Sequence, residues 1–464
     1  MSKDLWEGEA ARRMKTYDYI IGYEHKHREV ESICLLKAEL ESRGFSVFVY
    51  CIYDPRLFRY VRKYKAKILI VPFGYDNSSF YKCVRQAVDF DKVINLQWEQ
   101  AIYKQQEESS RSFKNPSGIC LKAIHISWGR ENQKRLVQVA GVSEKNVRLA
   151  GNMTLDFLKK PLTQFYLSRE ELFQKYDIPD GKKICLLIAS FKSATLSDGE
   201  VENLCRIYGS WRREHHLIAR KTRDTILEWI ERALNADEDL FFIYRPHPAE
   251  DTAYVSQIAR RCDRFVVIDE LSVKQWILAV DKIYTWMSTS VAEVYFSGKD
   301  CFILYPYELP EEANARLFDH AGTIKGYDGF YQSFYRDNPV FPIPKQDIND
   351  YYLADDGMSY MRVADVCEEV YRDEHYKISQ EDKEPIYALA DKPKTLVKRL
   401  NSFLWRIDWV YHLFYRVIAV FPNTDYSGKW IKHKESLDAL FMTEYVSDDE
   451  MEAIGRRIKE CLER

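Results

Sequence analysis

The length and composition of the chain define its broad class. It has 464 residues, more than one hydrophobic core usually serves, so two domains are expected. Hydrophobic residues make up 46% and charged residues 30%, which is typical of a folded globular protein. The formal net charge of -3 argues against a nucleic-acid-binding protein, because no overall basic field would attract a phosphate backbone.

Cysteine usage and the N-terminal residues indicate the compartment. The ten cysteines are scattered, without a CxxC pair or a metal-ligand spacing, which is typical of reduced thiols rather than of a disulfide framework. Residues 1–15 are charged and lack the apolar stretch that a signal peptide needs. No uncharged apolar run reaches the length of about 18 residues that a transmembrane helix requires. We therefore expect a cytoplasmic protein.

Strands and helices alternate through the first 150 residues. An apolar run at Asp18–Tyr23 predicts a strand, and apolar residues at 3–4 spacing predict a helix over His27–Arg43 that Gly44 ends. A second helix is predicted at Glu131–Ala140. Five more apolar runs predict strands at Phe45–Tyr50, Ala66–Pro72, Lys92–Leu96, Ala123–Gly129 and Asn146–Ala150.

A polar, helical stretch over residues 160–181 separates this pattern from its repetition, and Ile178–Gly181 is typical of a turn. The pattern then restarts at Lys183–Ala189. Further strands are predicted at Leu240–Tyr244, Phe265–Ile268, Asp281–Met287 and Asp300–Tyr305, and helices at Thr222–Asn235 and Ser272–Val280.

This order predicts an α/β protein with parallel sheets covered on both faces. We expect two doubly wound Rossmann-like domains facing each other across a cleft, followed by a helical C-terminal segment. The predicted boundaries are 1–160 for the N-terminal domain, 161–181 for a linker, 182–390 for the second domain and 391–464 for the amphipathic C-terminal segment. Ligands in such sheets bind beyond the carboxyl ends of the strands.

Two strand ends in the second half carry residues suited to a phosphate group. Arg245 and His247 follow the first, where Pro246 and Pro248 restrict the backbone. Arginine can form paired hydrogen bonds to phosphate, and histidine can donate to a phosphate oxygen or protonate a leaving group. Three hydroxyl side chains follow the second strand, at the predicted start of a helix whose free N–H groups favour an anion: Ser288, Thr289 and Ser290.

Three more side chains complete this candidate site. Glu293 lies one turn into the helix and could accept hydrogen bonds from ribose hydroxyls. Ser190 and Lys192 lie in the loop after the first strand of the second domain. A rigid turn and an ordinary helix cap would explain each motif alone, but their combination at successive strand ends favours a site for a nucleotide-activated donor.

The motif Tyr244-Arg245-Pro246-His247-Pro248, followed by Ser288-Thr289-Ser290, Glu293 and Gly298-Lys299, resembles the donor half of GT-B fold transferases. The most similar are bacterial surface-polysaccharide enzymes: Kdo and sialic acid transferases of capsule synthesis and glycerophosphotransferases of teichoic acid synthesis. The resemblance implies that the His-Pro pair and the serine cluster contact the phosphate of a cytidine nucleotide donor.

Two stretches of the first half extend the resemblance to about residues 17–310. Glu24-His25-Lys26-His27-Arg28-Glu29 is similar to the opening of surface carbohydrate biosynthesis proteins. Ser127-Trp128-Gly129, together with residues 147–152, resembles GT-B sugar enzymes, which include the UDP-N-acetylglucosamine 2-epimerases. The resemblance implies a GT-B arrangement with an N-terminal acceptor domain and a C-terminal nucleotide-donor domain.

An inverting transfer needs a base near the acceptor hydroxyl, and this base should come from the N-terminal half. Glu24 and His27 follow the first strand and Glu99 follows the fourth, so we rank them in the order Glu24, His27, Glu99. Glu29 is explained equally well as a carboxylate favoured by the helix dipole. No DxD-type metal site is apparent, so no metal and no cofactor is expected, and the nucleotide-sugar is a substrate.

The C-terminal segment contains an amphipathic helix pattern over residues 396–420, with lysine, arginine and tryptophan among the apolar positions. Such a helix could lie on an anionic membrane surface at the inner face of the cell membrane, where a lipid-linked acceptor would be found. Packing against the two domains is the alternative, and we favour it.

The sequence therefore predicts a metal-independent glycosyltransferase that moves a sugar from a nucleotide-activated donor to a glycan or lipid-linked acceptor of the cell surface. A CMP-linked sugar is one candidate donor. Three alternatives remain open. They are a CDP-linked polyol-phosphate transferase, a UDP-sugar 2-epimerase-like enzyme, and a non-catalytic scaffold that retains the GT-B shell.

Overall fold

The computed structural model describes residues 14–54, 57, 62–110, 112–337, 340–355, 357–389 and 439–463. The predicted amphipathic helix at 396–420 lies outside these residues. The twelve strands of the described residues are β1 (Lys15–Tyr23), β2 (Val47–Cys51), β3 (Tyr64–Val71), β4 (Val88–Asn95), β5 (Ile124–Ser127), β6 (Val147–Leu149), β7 (Lys183–Ile188), β8 (Leu240–Arg245), β9 (Phe265–Val267), β10 (Lys282–Thr285), β11 (Cys301–Leu304) and β12 (Thr323–Ile324).

The α-helices whose two ends both lie in these residues are α1 (Lys26–Ser42), α2 (Asn77–Val84), α3 (Lys104–Glu108), α4 (Arg130–Lys134), α5 (Arg169–Lys175), α6 (Asp198–Tyr208), α7 (Trp211–Ala236), α8 (Ala253–Ala259), α9 (Val273–Ala279), α10 (Val291–Ser297), α11 (Tyr327–Ser333), α12 (Lys345–Tyr352), α13 (Ser359–Arg372), α14 (Gln380–Tyr387) and α15 (Asp448–Leu462).

The strands form two parallel six-stranded sheets, which confirms the predicted fold class. The first has the order β2-β1-β3-β4-β5-β6, and the second has the order β12-β11-β10-β7-β8-β9. Read from β9, the second order is that of a dinucleotide-binding Rossmann sheet. Successive strands are added on one side of β7 up to β9 and on its other side from β10 onward, so the strand order reverses between β7 and β10. The crevice beyond these two strands is therefore the expected ligand position.

The central strands β7 and β8 of the second sheet are apolar between their first and last residues because helices cover both faces of the sheet. Ile184, Leu186 and Ile188 of β7 face one side and join a hydrophobic cluster that includes strands of both sheets. Cys185 and Leu187 face the other side and pack with α7. This arrangement fixes the β7 register, and with it the position of the loop that follows.

The helices between residues 345 and 389 contact the first domain. Asp156 accepts hydrogen bonds from the main-chain N–H groups of Ser359 and Tyr360, at 3.0 and 2.7 Å. Lys92 of β4 donates to the carbonyl oxygen of Val370 at 2.7 Å, and Lys383 of α14 pairs with Asp89 at 3.2 Å. The chain thus returns to the first domain before residue 390. The boundary predicted there stays a prediction.

The structure also differs locally from the sequence expectations. The helix expected at Thr222–Asn235 is the C-terminal part of a 26-residue helix, α7, and the short strand β12 was not expected. The helix expected at Glu131–Ala140 is α4, continued as a π-helical turn over Arg135–Val139. The spacing of apolar residues could not predict the π-helical turn, since such a turn keeps most of the residues of a helix on the expected face.

Candidate functional site

The carboxyl ends of β8, β7 and β10 lie side by side in the second domain. The main-chain N–H of Ala189, after β7, donates to the carbonyl oxygen of Arg245 at 2.9 Å. On the other side of β7, the Ser190 hydroxyl donates to the carbonyl oxygen of Trp286. Because neighbouring strands are about 4.8 Å apart, the ends of β8 and β10 flank Ser190 at a separation of about 10 Å. The loops that carry His247, Lys192 and Ser288 are therefore neighbours.

His247 is held in one tautomer by its own turn. Its Nδ1 accepts a hydrogen bond from the main-chain N–H of Ala249 at 3.1 Å, so the proton of the neutral ring is on Nε2. Burial and the charge of Lys192 lower the pKa of His247, and the charge of Glu99 opposes this shift. The half-buried ring is accordingly a neutral hydrogen-bond donor at pH 7, suited to a phosphate oxygen.

Glu250 positions the His247 turn and was not identified from the sequence. Its carboxylate accepts hydrogen bonds from the main-chain N–H of His247 at 3.2 Å and from the Tyr244 hydroxyl. The Glu250 N–H in turn donates to the His247 carbonyl oxygen at 2.8 Å. Burial raises the pKa of Glu250, and its hydrogen bonds oppose that rise. The reciprocal bonds three residues apart resemble a capping box, and this spacing could have indicated Glu250.

Arg245 makes contacts other than those expected of a phosphate ligand. Its guanidinium donates to the carbonyl oxygens of Ile268, Glu270 and Leu271 in the loop after β9, at 3.3 Å for the first. Burial lowers the pKa of Arg245 to about 10, so it remains a cation at neutral pH. The structure therefore shows Arg245 holding this loop, in which Leu271 has a left-handed φ of 63°. The phosphate contact of Arg245 stays a prediction.

The serine cluster follows a strained residue. Met287 has a φ of 47°, a conformation that costs a non-glycine residue about 1–3 kcal/mol and is found most often at functional sites. The Ser288 hydroxyl oxygen accepts from the Ser290 N–H at 3.3 Å, while Thr289 is exposed. Helix α10, which follows, has only seven residues. The hydroxyls, more than the dipole of this short helix, are thus the groups available to an anion.

Glu293 lies near the boundary between the domains. Burial raises its pKa, and the charge of Lys274 opposes this shift. Lys274 is itself 3.4 Å from Glu31 of α1. Glu293 therefore stands on the side of the second domain that faces the first, as a ribose ligand would require.

A cluster of charged residues occupies the carboxyl edge of the first sheet. We call it the first-domain cluster; it consists of Glu24, Arg28, Glu29, Glu99 and Lys114. Arg28 connects it, at 3.5 Å from Glu24, 2.7 Å from Glu29 and 3.3 Å from Glu99. Glu29 is fully buried and also accepts from the Glu24 main-chain N–H at 2.7 Å. Its structural role in this network explains why a carboxylate stands at the start of α1.

Glu99 and Glu24 have different partners. Glu99 forms ion pairs with Lys114 and Arg28, which lower its pKa against the opposing effect of burial. Glu24 accepts a hydrogen bond from the Tyr53 hydroxyl at 2.8 Å. Phe113, next to Lys114, has its ring centroid 5.8 Å from that of Tyr208 in α6, so the side of the first domain that carries this cluster contacts the second domain.

The C-terminal segment contributes a carboxylate that the sequence did not indicate. Glu444 accepts from the main-chain N–H of Lys26 at 2.6 Å and is 3.0 Å from Nδ1 of His25. The main-chain N–H of Val446 donates to the Tyr23 hydroxyl at 3.0 Å. His27, expected as a catalytic candidate, is exposed in the first turn of α1. No periodicity connects residues more than 400 positions apart, so these contacts could not be predicted.

The described residues contain no group of three or more His, Cys, Asp or Glu side chains that could hold a metal ion. None of the helices described here combines the length and apolar character needed to cross a membrane.

No protein-family model and no curated protein matches this chain. Its solved structural neighbours include a Methanocaldococcus jannaschii UDP-GlcNAc 2-epimerase in complex with UDP-GlcNAc and UDP, with 12% identity over 77% of this chain and 100% of that one and a TM-score of 0.47. The wall teichoic acid polymerase TagF has 11% identity over 79% and 91% of the two chains and a TM-score of 0.46. The S. aureus MnaA–UDP structure has 16% identity over 77% and 96%, with a TM-score of 0.44. These values are too low to carry an argument about function.

Proposed function

We propose that the protein is a metal-independent transferase of cell-surface glycan assembly that uses a nucleotide-activated sugar, with a CMP-linked donor as the first candidate. The observation that carries this proposal is that the loops after β7, β8 and β10, which contain Lys192, His247 and the serine cluster, are neighbours at the point where the strand order of the second sheet reverses. Neutral donors and a cation around one crevice suit the phosphate of a departing nucleotide.

In the proposed reaction, the Nε2–H group of His247 donates to a phosphate oxygen and Lys192 supplies a positive charge. The hydroxyls of Ser288, Thr289 and Ser290 offer further donors, and Ser190 holds the β7 and β10 loops together. Glu293 accepts from the ribose. These contacts stabilise the charge that develops on the leaving group as the bond to the sugar breaks.

The first-domain cluster would activate the acceptor hydroxyl. We propose Glu24 as the base, because the two cations beside Glu99 keep that carboxylate ionised and make it a weak base. Glu99 would instead orient Arg28 and Lys114. The acceptor, a glycan or lipid-linked glycan, would then enter between the two sheets.

Calorimetric titration with CMP, CDP, UDP and GDP tests this proposal. We expect selective binding of a cytidine nucleotide to the wild type and a loss of affinity of about 10- to 100-fold in His247→Ala, as for a hydrogen bond to a charged group. His375→Ala, an exposed histidine in the turn after α13, is the matched control. UDP preference would indicate a UDP-sugar enzyme, and the absence of binding by any nucleotide would refute the transferase proposal.

A further inference from the structure

A cavity lies where the two domains meet, and its wall includes none of Lys192, His247 and Ser288. It encloses about 320 Å³, at the lower end of the range of about 300–1,000 Å³ that small-molecule sites occupy. The first domain contributes Gln100, Asn132, Arg135 and Gln138 to its wall, and the second contributes Arg316. Val139 is the one apolar residue in the wall. A hydroxylated ligand would therefore find hydrogen-bonding groups along most of the wall.

Arg135 is a buried cation that no carboxylate of the described residues contacts directly. Its side chain is 5% exposed, and it donates to the amide oxygens of Asn115 and Asn132 at 2.9 and 2.7 Å. Both acceptors are uncharged. Among the described residues, no carboxylate forms an ion pair with Arg135, and its Nε–H lacks a hydrogen-bond partner. Burial lowers the pKa of Arg135, and the charge of Glu107 offsets this only in part. Because a buried charge that is incompletely balanced is unfavourable, this position favours binding of an anion.

The other charges of the cavity wall are already paired. Lys134 is 2.6 Å from Glu131, and Arg316 pairs with Glu108 and lies 3.7 Å from Glu107. Glu107 also accepts from the Tyr351 hydroxyl, at 3.0 Å. Burial raises the pKa of Glu107 to about 7, so part of its population is neutral at physiological pH. These pairs leave Arg135 as the charge that a ligand would balance.

The local backbone brings Arg135 to this wall. The N–H of Ala140 donates to the Arg135 carbonyl oxygen at 3.0 Å, five residues back, which is the bond of a π-helical turn. Such turns are rare and occur most often at functional sites. Arg135, Gln138 and Val139 all belong to this turn and all line the cavity. The unusual backbone and the cavity wall therefore coincide.

We propose that this cavity binds a small hydroxylated anion, a phosphate monoester or a carboxylate carried on a polyol or sugar, with Arg135 as its charge partner. The ligand would contact both domains, since Arg316 belongs to the second domain and the other residues named belong to the first. The cavity wall includes none of the residues proposed for the donor phosphate. The inference is therefore independent of the proposed transferase function.

Calorimetry with three probes tests the site: glycerol 3-phosphate, glucuronate and uncharged glucose. We expect one of the two anions, but not glucose, to bind the wild type. Arg135→Met should weaken this binding at least tenfold, and so should Asn115→Asp, which supplies Arg135 with a carboxylate inside the protein. Arg130→Met, an exposed cation in α4 that does not line the cavity, should leave it unchanged.

Comparing glycerol 3-phosphate with glucuronate shows whether the cavity prefers a phosphate or a carboxylate group. His247→Ala distinguishes binding in this cavity from binding at the proposed donor site. Unchanged binding in His247→Ala supports the proposal, whereas loss of binding there would assign the anion to the loops that carry His247, Lys192 and Ser288 and overturn it. The proposal is also wrong if neither anion binds the wild type, or if the anion that binds the wild type binds folded Asn115→Asp equally well. If Arg135→Met does not fold, Asn115→Asp decides.

Discussion

His247 in the second domain is positioned by hydrogen bonds with main-chain groups, whereas Glu24 and Glu99 in the first domain are positioned by ion pairs. The His247 ring accepts from Ala249, and its backbone turn is fixed by Glu250. Across the cleft, Arg28 contacts three carboxylates at once. A neutral, backbone-fixed donor suits a phosphate whose charge must be stabilised. A network of shared charges suits a carboxylate whose basicity and orientation must be controlled.

The largest expected effect concerns the buried carboxylate of the first-domain cluster. Glu29→Ala removes the partner of Arg28 at 2.7 Å and leaves the Glu24 N–H without its acceptor. We expect a loss of about 2–4 kcal/mol in the free energy of unfolding, slightly less than the value of about 3–5 kcal/mol for a fully buried charged pair because Arg28 is partly exposed. Urea denaturation followed by circular dichroism measures it.

Glu41→Ala provides the matched control, because its ion pair with Lys37 is at the surface of the same helix. That change should cost less than about 0.5 kcal/mol. Equal effects of the two substitutions would mean that the first-domain cluster does not depend on its buried charges. They would contradict the account in which ion pairs position the first-domain carboxylates and main-chain hydrogen bonds position His247.

An intermediate effect is expected for Arg245, whose contacts are with the loop after β9. Arg245→Met should release the carbonyl oxygens of Glu270 and Leu271 and increase amide hydrogen exchange in residues 268–272. Nucleotide affinity should fall by less than it does in His247→Ala. A larger loss in Arg245→Met, with unchanged exchange in the loop, would instead support the phosphate contact expected from the sequence.

Arg245 also illustrates how far the sequence could lead. The apolar runs predicted the strand positions and the two doubly wound domains, because burial on both faces of a parallel sheet leaves a continuous apolar pattern. They also placed His247 and Ser288 at strand ends, since motifs next to apolar runs stay next to strands. The partners of Arg245 are carbonyl oxygens more than 20 residues away, and main-chain groups leave no trace in side-chain patterns.

The same reasoning explains the residues that were not predicted. Glu250 lies three residues after His247, a spacing that could have indicated it, but the sequence alone does not show that its carboxylate accepts from the His247 N–H. Glu444 lies far along the chain from His25, and only the return of the C-terminal segment to the first domain brings them together. Tertiary contacts of this kind determine which side chains remain available to a ligand.

The smallest expected effect is the pH dependence of that C-terminal contact. Burial lowers the pKa of His25, but the hydrogen bond to Glu444 and the charge of Glu24 outweigh it, so the net pKa is raised above 6.5. The contact should therefore be strongest below pH 6.5 and weaken as the pH rises through the raised value. Hydrogen exchange in residues 439–463 should increase over this interval, and His25→Gln should remove the dependence. An exchange rate that falls as the pH rises, after correction for intrinsic exchange, would contradict this account.

The most direct test compares the two sides of the cleft in one experiment. The affinity for the preferred cytidine nucleotide is measured by calorimetry in the wild type, His247→Ala and Glu24→Gln, and release of that nucleotide from its activated sugar is measured in parallel. We predict that His247→Ala weakens binding at least tenfold, whereas Glu24→Gln retains wild-type affinity and loses turnover. Equal loss of affinity in both variants, or unchanged affinity in His247→Ala, would contradict the division of roles between the two domains.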